Sequence, residues 1–319
     1  MKTIIVTGGS GFIGSNLCKR LINDGNKVIC IDNNYTGRMC NIEELLSHPN
    51  FKFILHDITE PFETDEKIDQ IYNLACPASP PAYQGKHAID TTKTCILGAL
   101  NMLELARKNQ ATILQTSTSE VYGEPEVHPQ REDYFGYVNP TGIRSCYDEG
   151  KRCAESLFFS YHRIYNMPIK VVRIFNTYGP NMRYDDGRVV SNFICQSLQN
   201  KDLTIYGDGK QTRSLCFVDD TVDALVRMMN SDKEFTGPVN IGNPEEHSIG
   251  EIAEIITKKI NNSSKVCYME RPADDPTRRQ PDISLAKQKL QWQPHTSLDD
   301  GLSKTIAYYK MDLQRSKLI

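Results

Sequence analysis

Between Thr116 and Lys151 the chain reads TSTSEVYG, then a loop, then Tyr147-Asp-Glu-Gly-Lys151. These types of residue could do acid–base chemistry on an alcohol. Residues four apart share a helix face, so Lys151 can sit under Tyr147 and help its phenolate act as a base. A free tyrosine titrates near ~10, and a neighbouring cation favours its ionised form. An enzyme that oxidises a hydroxyl at neutral pH needs such a base, and Thr118 and Glu120 stand where a hydroxyl and a carboxylate could assist it. The same YxxxK spacing recurs at Tyr206 and Lys210, but there it runs into a Gly207-Asp-Gly turn that cannot make a helical face.

Oxidation needs a hydride acceptor, and the N-terminus offers a place for one. Gly8-Gly9-Ser10-Gly11-Phe12-Ile13-Gly14 follows a strand and opens a helix, satisfying both GxGxxG and GxxGxxG. Its glycines allow a tight turn and close approach to a pyrophosphate, which the helix N-terminus stabilises. Asp32 ends the second strand, where a carboxylate accepts the ribose hydroxyls of adenosine and repels a 2′-phosphate. NAD is favoured over NADP, although Arg38 lies near enough in sequence to oppose that argument. Asp57 ends the third strand and could meet the adenine edge or merely finish the strand. The expected cofactor contacts also take in Phe12, Ile13, Asn33, Tyr35, Thr36, Ile58 and Leu74.

The elements that must position these groups alternate between strand-like and helical patterns. KTIIV, a helix over 12 to 24, KVICI, FKFIL, QIYNL, a helix over roughly 86 to 109, ATILQT, a helix over 147 to 166 and IKVVRIF follow in turn. Such alternation means an α/β fold, a doubly wound parallel sheet of Rossmann type with helices on both faces. After Asn176 the texture changes, with a polar run from Arg183 to Arg188 and Pro-rich stretches at 272 to 281. We therefore expect a cofactor-binding domain over 1–178 and a smaller C-terminal substrate lobe over 179–319. Residues 210–242, with a helix over 219 to 230 and the strand-like PVNIG, are expected to return to the first domain.

Composition narrows the classes of function. The 319 residues carry a net charge of −3 with both signs mixed, so no basic field points to nucleic acid or to a membrane surface. The ten cysteines include no CxxC pair and read as reduced thiols of a cytoplasmic protein, and the seven histidines show no metal-like pairing. No metal is expected. Met1-Lys2-Thr3 runs straight into the first strand, and no apolar stretch approaches ~18 residues, so neither a leader nor a span is expected. The sequons at Asn34, Asn261 and Asn262 read as chance matches.

Taken in order, the glycine-rich turn, Asp32, the hydroxyl-bearing strand end and YxxxK resemble the extended short-chain dehydrogenase/reductases that act on nucleotide sugars. LACPASPPAYQ (74 to 84), TSTSEVYGEPEVHPQREDYFGYVNP (116 to 140), RSCYDEGKR (144 to 152), IFNTYGPNM (174 to 182) and DGRVVSNFI (186 to 194) are similar to the UDP-glucuronate decarboxylase (UDP-xylose synthase) family. QTRSLCFVDD (211 to 220), NPEEHSIGE (243 to 251) and DDPTRRQPDI (274 to 283) extend the likeness through the second lobe.

The resemblance implies NAD as cofactor and UDP-glucuronate as substrate. It implies that Thr118 and Tyr147 hold the sugar O4, that Lys151 binds the nicotinamide ribose, and that Glu120 assists near C5. By the same likeness Arg279 meets the substrate carboxylate, Asn176 and Arg213 hold the diphosphate, and Tyr83 and Lys93 line the sugar or UDP pocket. Pro81 and Tyr206 join those substrate contacts, and Thr177 and Arg188 reach the cofactor. Cys76 stands where the family has a small Ser, Cys95 where it tends to have Asn, and Arg183 where it often has His. A homodimer through a four-helix interface formed by the helices near 86 to 109 and 147 to 166 is a further implication.

The residues leave rivals open on the same scaffold. A UDP-sugar 4-epimerase would reduce the keto intermediate from its other face, and a 4,6-dehydratase would eliminate water. Dehydratases tend to carry Asp-Glu after the catalytic Thr, whereas Ser119-Glu120 stands here. Release of a 4-keto pentose without the last reduction is another outcome. A non-catalytic NAD sensor is the reading from a different class, and it would have no use for an intact Thr118, Tyr147 and Lys151.

Overall fold

The computed structural model describes residues 1–260, 264–270 and 278–319. Asn261, Asn262 and the 274–277 part of the DDPTRRQPDI motif lie outside the described residues. Six strands and their helices come first: β1 (Thr3–Thr7), α1 (Phe12–Asn23), β2 (Lys27–Asp32), β3 (Phe51–Leu55), β4 (Gln70–Asn73), α2 (Pro80–Tyr83), α3 (Ala88–Lys93), α4 (Ala99–Asn109), β5 (Thr112–Thr118), α5 (Ser145–Tyr165) and β6 (Ile169–Ile174). The remainder comprises β7 (Thr177–Tyr178), α6 (Val189–Leu198), β8 (Leu203–Tyr206), β9 (Thr212–Ser214), β10 (Cys216–Phe217), α7 (Val218–Met229), β11 (Val239–Ile241), β12 (Glu246–Ser248), α8 (Ile249–Ile260), β13 (Val266–Met269), α9 (Ser284–Leu290) and α10 (Leu298–Arg315).

A seven-stranded sheet has the order β11-β6-β5-β4-β1-β2-β3, and every pairing in it is parallel. Strands covered on both faces must be apolar throughout, as TIIVT and KVICID nearly are. On one face Leu17 and Leu21 of α1 pack with Leu225 and Met228 of α7. On the other, Met102 and Leu103 of α4 meet Phe158 of α5. Strand order reverses between β1 and β4, and in such sheets ligands bind in the crevice beyond the C-terminal strand ends.

Chain beyond Asn176 both completes this sheet and builds structure beside it. Strand β11 joins β6 at the edge, while β8 pairs with β13 and β9 with β12 in small sheets packed by α6 and α8. Trp292 is fully buried there, and its indole donates to the Asp220 carbonyl at 3.0 Å. One expected element differs: the stretch over 86 to 109 is not one continuous α-helix. A π-helical turn, Thr94–Gly98, separates α3 from α4. Such turns widen the hydrogen-bonding ladder locally, and a periodicity read from apolar positions does not register them.

Candidate active site

A cleft of ≈ 990 Å³ runs across the C-terminal ends of the strands. At one end lies the turn between β1 and α1. Gly8 sits at φ +68, and a side chain at Gly14 would stand 2.0 Å from the Gly8 carbonyl oxygen, so the turn closes only with glycine in these places. Helix α1 then opens at Phe12 with its free amides facing the cleft. Asp32 ends β2 and accepts from the amides of Ser10 (3.0 Å) and Asn34 (2.8 Å), which fixes its carboxylate at the rim. Asp57 accepts from the Asn33 side-chain amide (2.9 Å) and from both donors of Thr59.

Arg38 resolves the conflict posed by its sequence position. Its guanidinium donates to both Asp312 carboxylate oxygens of α10, at 2.9 and 2.5 Å, and to the Tyr308 hydroxyl at 3.3 Å. The arginine is drawn away from Asp32 and is not among the residues that line the cleft. A glycine turn, helix amides and an unopposed ribose-side carboxylate together suit NAD.

At the other end β5 delivers Thr118 and α5 delivers Tyr147 and Lys151. The Thr118 hydroxyl is close enough to the Tyr147 phenol to favour its ionised form and also caps the next turn by accepting from the Glu120 amide at 3.2 Å. Tyr147 lies flat against Tyr83, with ring centroids 4.9 Å apart and 10° between planes. Lys151 Nζ stands 5.8 Å from the Tyr147 ring centroid and donates to the Thr116 carbonyl at 2.9 Å. Burial pushes the phenol well above its ordinary value and the Cys76 thiol adds to this, while the Thr118 hydroxyl and the Arg188 charge oppose it. Lys151 thus shares its charge with a backbone carbonyl, and burial prevails. Ionising Tyr147 calls for more positive charge in the cleft than these residues bring.

Beside the phenol two carboxyl groups face two guanidiniums. Glu120 is 2.7 Å from Arg144 and 3.5 Å from the buried Arg279. Burial alone would push its pKa up, but Arg279 and Arg144 outweigh burial and hold Glu120 below the ordinary carboxylate range. Asp148, on the first turn of α5, is driven the other way. Burial and the neighbouring Glu120 charge push it up to about 8. One carboxyl is kept charged and the other protonated, the kind of separation by which a site divides acid and base roles.

Every residue given a catalytic, cofactor-binding or substrate-binding role from the sequence lines this one cleft, from Gly8 through Lys93, Asn176 and Tyr206 to Arg279. The second YxxxK copy behaves as its turn residues imply, since Tyr206 ends β8 while Lys210 follows in the turn, its amide bonded to Asp208 at 3.0 Å. Sequence reasoning gave no role to Arg144, although it lies in the quoted RSCYDEGKR run. Its place three residues before Tyr147, one helical turn, was the available signal. Asp148 and the contact between Cys76 and Cys95 also escaped notice. Among the described residues no three His, Cys, Asp or Glu side chains gather to hold a metal.

The parallel sheet, the glycine turn at its switch point and the Thr-Tyr-Lys group define an extended short-chain dehydrogenase/reductase of the nucleotide-sugar class. The family model described as GDP-mannose 4,6 dehydratase matches residues 5–305. Within that class the chain belongs to the UDP-glucuronic acid decarboxylase family. It is 50% identical to UDP-glucuronic acid decarboxylase 1 of Xenopus tropicalis over 98% of this chain and 73% of that one. With UDP-glucuronic acid decarboxylase 6 of Arabidopsis thaliana it shares 53% identity over 94% of this chain and 86% of that one. Among solved structures, a UDP-glucuronic acid 4-epimerase from Bacillus cereus in complex with UDP-glucuronic acid and NAD is similar at TM-score 0.87. It is 32% identical, with 97% of this chain and 99% of that one covered.

Proposed function

We propose that this protein converts UDP-glucuronate to UDP-xylose and carbon dioxide, with NAD as a redox partner that is regenerated in each cycle. The carrying observation is that Thr118, Glu120, Tyr147 and Arg279 converge at one end of a cleft whose other end is the glycine turn and Asp32. NAD, when bound, supplies a positively charged ring that takes the C4 hydride and later returns it. The glycine turn, the α1 amides and Asp32 hold its adenosine and pyrophosphate, and Lys151, Thr177 and Arg188 meet its other half.

Tyr147 takes the proton of the C4 hydroxyl, which Thr118 holds in line. The resulting 4-keto sugar carries its carboxylate β to the ketone, and β-keto acids lose carbon dioxide readily. Thr118 and protonated Tyr147 then donate to the developing enolate oxygen, and losing one such donor typically costs about 2.7–4 kcal/mol of barrier. Arg279 binds the sugar carboxylate through its planar fork, sharing it with Glu120 so that the ground state is not held more tightly than the transition state. Glu120 assists proton delivery near C5. Asn176 and Arg213 hold the diphosphate, with Pro81, Tyr83, Lys93 and Tyr206 around the sugar and base.

Residues 1–178, with 210–242 returning, form the NAD-binding domain, and 179–319 supply the UDP-sugar lobe. The protein works as a dimer built on α3, α4 and α5, a reading supported by exposed Ile89 on α3, Leu97 in the π-helical turn after it, and Ile164 and Tyr165 on α5. Light scattering at micromolar concentration should give twice the chain mass. Ten free cysteines, and no helix among the described residues long and apolar enough to cross a membrane, support a reducing cytoplasmic setting.

The deciding experiment is NMR of the anomeric protons with UDP-glucuronate and substoichiometric NAD. UDP-xylose should accumulate. UDP-galacturonate would make the protein a 4-epimerase, and a 4-keto pentose with stoichiometric reduced cofactor would remove the final reduction.

A further inference from the structure

Two cysteines distant in sequence meet at the wall of the cleft. Cys76 lies in the loop after β4 and lines the cleft, and Cys95 sits in the π-helical turn between α3 and α4. Their sulfur atoms are 3.3 Å apart and hydrogen-bonded, and neither is in a disulfide. A disulfide needs about 2.05 Å, so an approach of roughly 1.3 Å would close one. Cys95 is buried, and a side chain at Gly150 would stand 2.9 Å from its β-carbon. Cys95 therefore packs closely against α5 at Gly150, between Tyr147 and Lys151.

From this contact we infer that Cys76 and Cys95 form a redox-active dithiol, a modification site that takes small peroxides and closes to a disulfide that impairs the cofactor cleft. Peroxide reaches Cys76 from the cleft, while Cys95 waits behind it as the resolving thiol. Burial raises the Cys76 thiol, but the hydrogen bond from Cys95 and the Lys151 charge outweigh it and leave Cys76 below its ordinary value. The attacking sulfur is therefore that of the half-buried Cys76, which lines the cleft, and not that of the buried Cys95.

Cys76 sulfur attacks one peroxide oxygen and the O–O bond breaks. The hydroxide released takes the thiol proton and leaves as water, with Cys76 as the sulfenic acid. Cys95 sulfur then attacks Cys76 sulfur, the S–O bond breaks, and the second water carries off the Cys95 proton. Two thiols lose two electrons and two protons, and peroxide is reduced to two waters. The new bond shifts the 74–77 segment, which lines the cleft. Displacements of about 1 Å near reacting groups can cost on the order of 100-fold in rate.

The experiment treats the full-length protein with about one equivalent of hydrogen peroxide, then measures three things. These are the Cys76–Cys95 linked peptide by mass spectrometry, the NAD dissociation constant by calorimetry, and UDP-xylose formation. The linkage rests on geometry alone, whereas the effect on turnover rests on the decarboxylase reading, so linkage and NAD affinity are scored separately from product. We expect the linked peptide, a loss of at least tenfold in NAD affinity or turnover, and recovery with dithiothreitol. Cys95→Ser should keep the untreated activity, form no link, and trap Cys76 as a dimedone-reactive sulfenic acid. Oxidation of other thiols without a 76–95 link overturns the proposal. So does a link that leaves both NAD affinity and turnover unchanged, or an equal reversible loss in Cys95→Ser.

Discussion

The two ends of the cleft satisfy their polar groups in opposite ways. At the adenosine end both carboxylates that line the cleft are already bonded within the protein, Asp32 to the amides of Ser10 and Asn34 and Asp57 to Asn33 and Thr59. At the sugar end, among the described residues, buried atoms of two cleft-lining side chains remain without a hydrogen-bond partner, the Tyr83 hydroxyl and Arg279 Nε. Leaving a buried polar atom unsatisfied typically costs about 1–3 kcal/mol. The adenosine end is thus a rigid seat, and the sugar end keeps unmet hydrogen-bonding capacity that a polar substrate can use.

The largest effect should come from separating chemistry from seating. Tyr147→Phe removes the base and one enolate donor but leaves the glycine turn and Asp32 intact. Turnover by the NMR assay should fall about 10²–10⁴-fold, the range for a positioned proton-transfer group. NAD affinity by calorimetry should stay within about threefold, a change of ~0.7 kcal/mol. An equal loss in both would mean that the two ends are one coupled unit, and the comparison would fail.

Legibility in the sequence follows the same division. The adenosine end is written in one contiguous stretch, Gly8 to Asp32, because a turn and the next strand end are local features whose geometry the backbone dictates. YxxxK was legible for the same reason, being one turn of one helix. The first and last members of the Glu120–Arg144–Arg279 cluster lie 159 residues apart in sequence. Only the closing of the sheet and the docking of the later chain bring it together, so the resemblance, not spacing, pointed to Arg279. Cys76 and Cys95 were each noted as departures from a family pattern. Their contact depends on a π-helical turn that no apolar periodicity reveals.

A moderate effect should appear in stability against pH, again at the sugar end alone. Asp148 is raised in the folded state to about 8, against an unfolded value near ~3.9. Below about pH 4 both states hold its proton and the group is neutral to folding. As pH rises from there towards 8 the unfolded chain releases the proton while the folded chain retains it, so stability is lost across that window. Asp148→Asn removes this liability. Its melting temperature relative to the parent should rise from pH 5 to pH 8, by a few degrees if the gain is about 1–2 kcal/mol. Parallel curves for the two proteins would mean that Asp148 is ionised in the folded state, and the contrast drawn between the two carboxyl groups would lose its basis.

The smallest effect tests the rigid end. Arg38 follows Asp32 by six residues, and its fork on Asp312, with a weaker bond to Tyr308, keeps it turned towards α10. Asp312→Ala releases it, because the remaining Tyr308 hydroxyl at 3.3 Å is a weak neutral acceptor. A freed guanidinium can swing towards the ribose side and offset the repulsion that Asp32 exerts on a 2′-phosphate. The dissociation constant for NADP should fall about fivefold, ~1 kcal/mol, the worth of one solvent-accessible ion pair to the 2′-phosphate, while that for NAD changes less than twofold. The KM for UDP-glucuronate should not move, since nothing at the sugar end has changed. If NADP affinity stays fixed while Arg38 is free, discrimination resides in Asp32 alone, and the seat is more rigid than the Arg38–Asp312 pair implies.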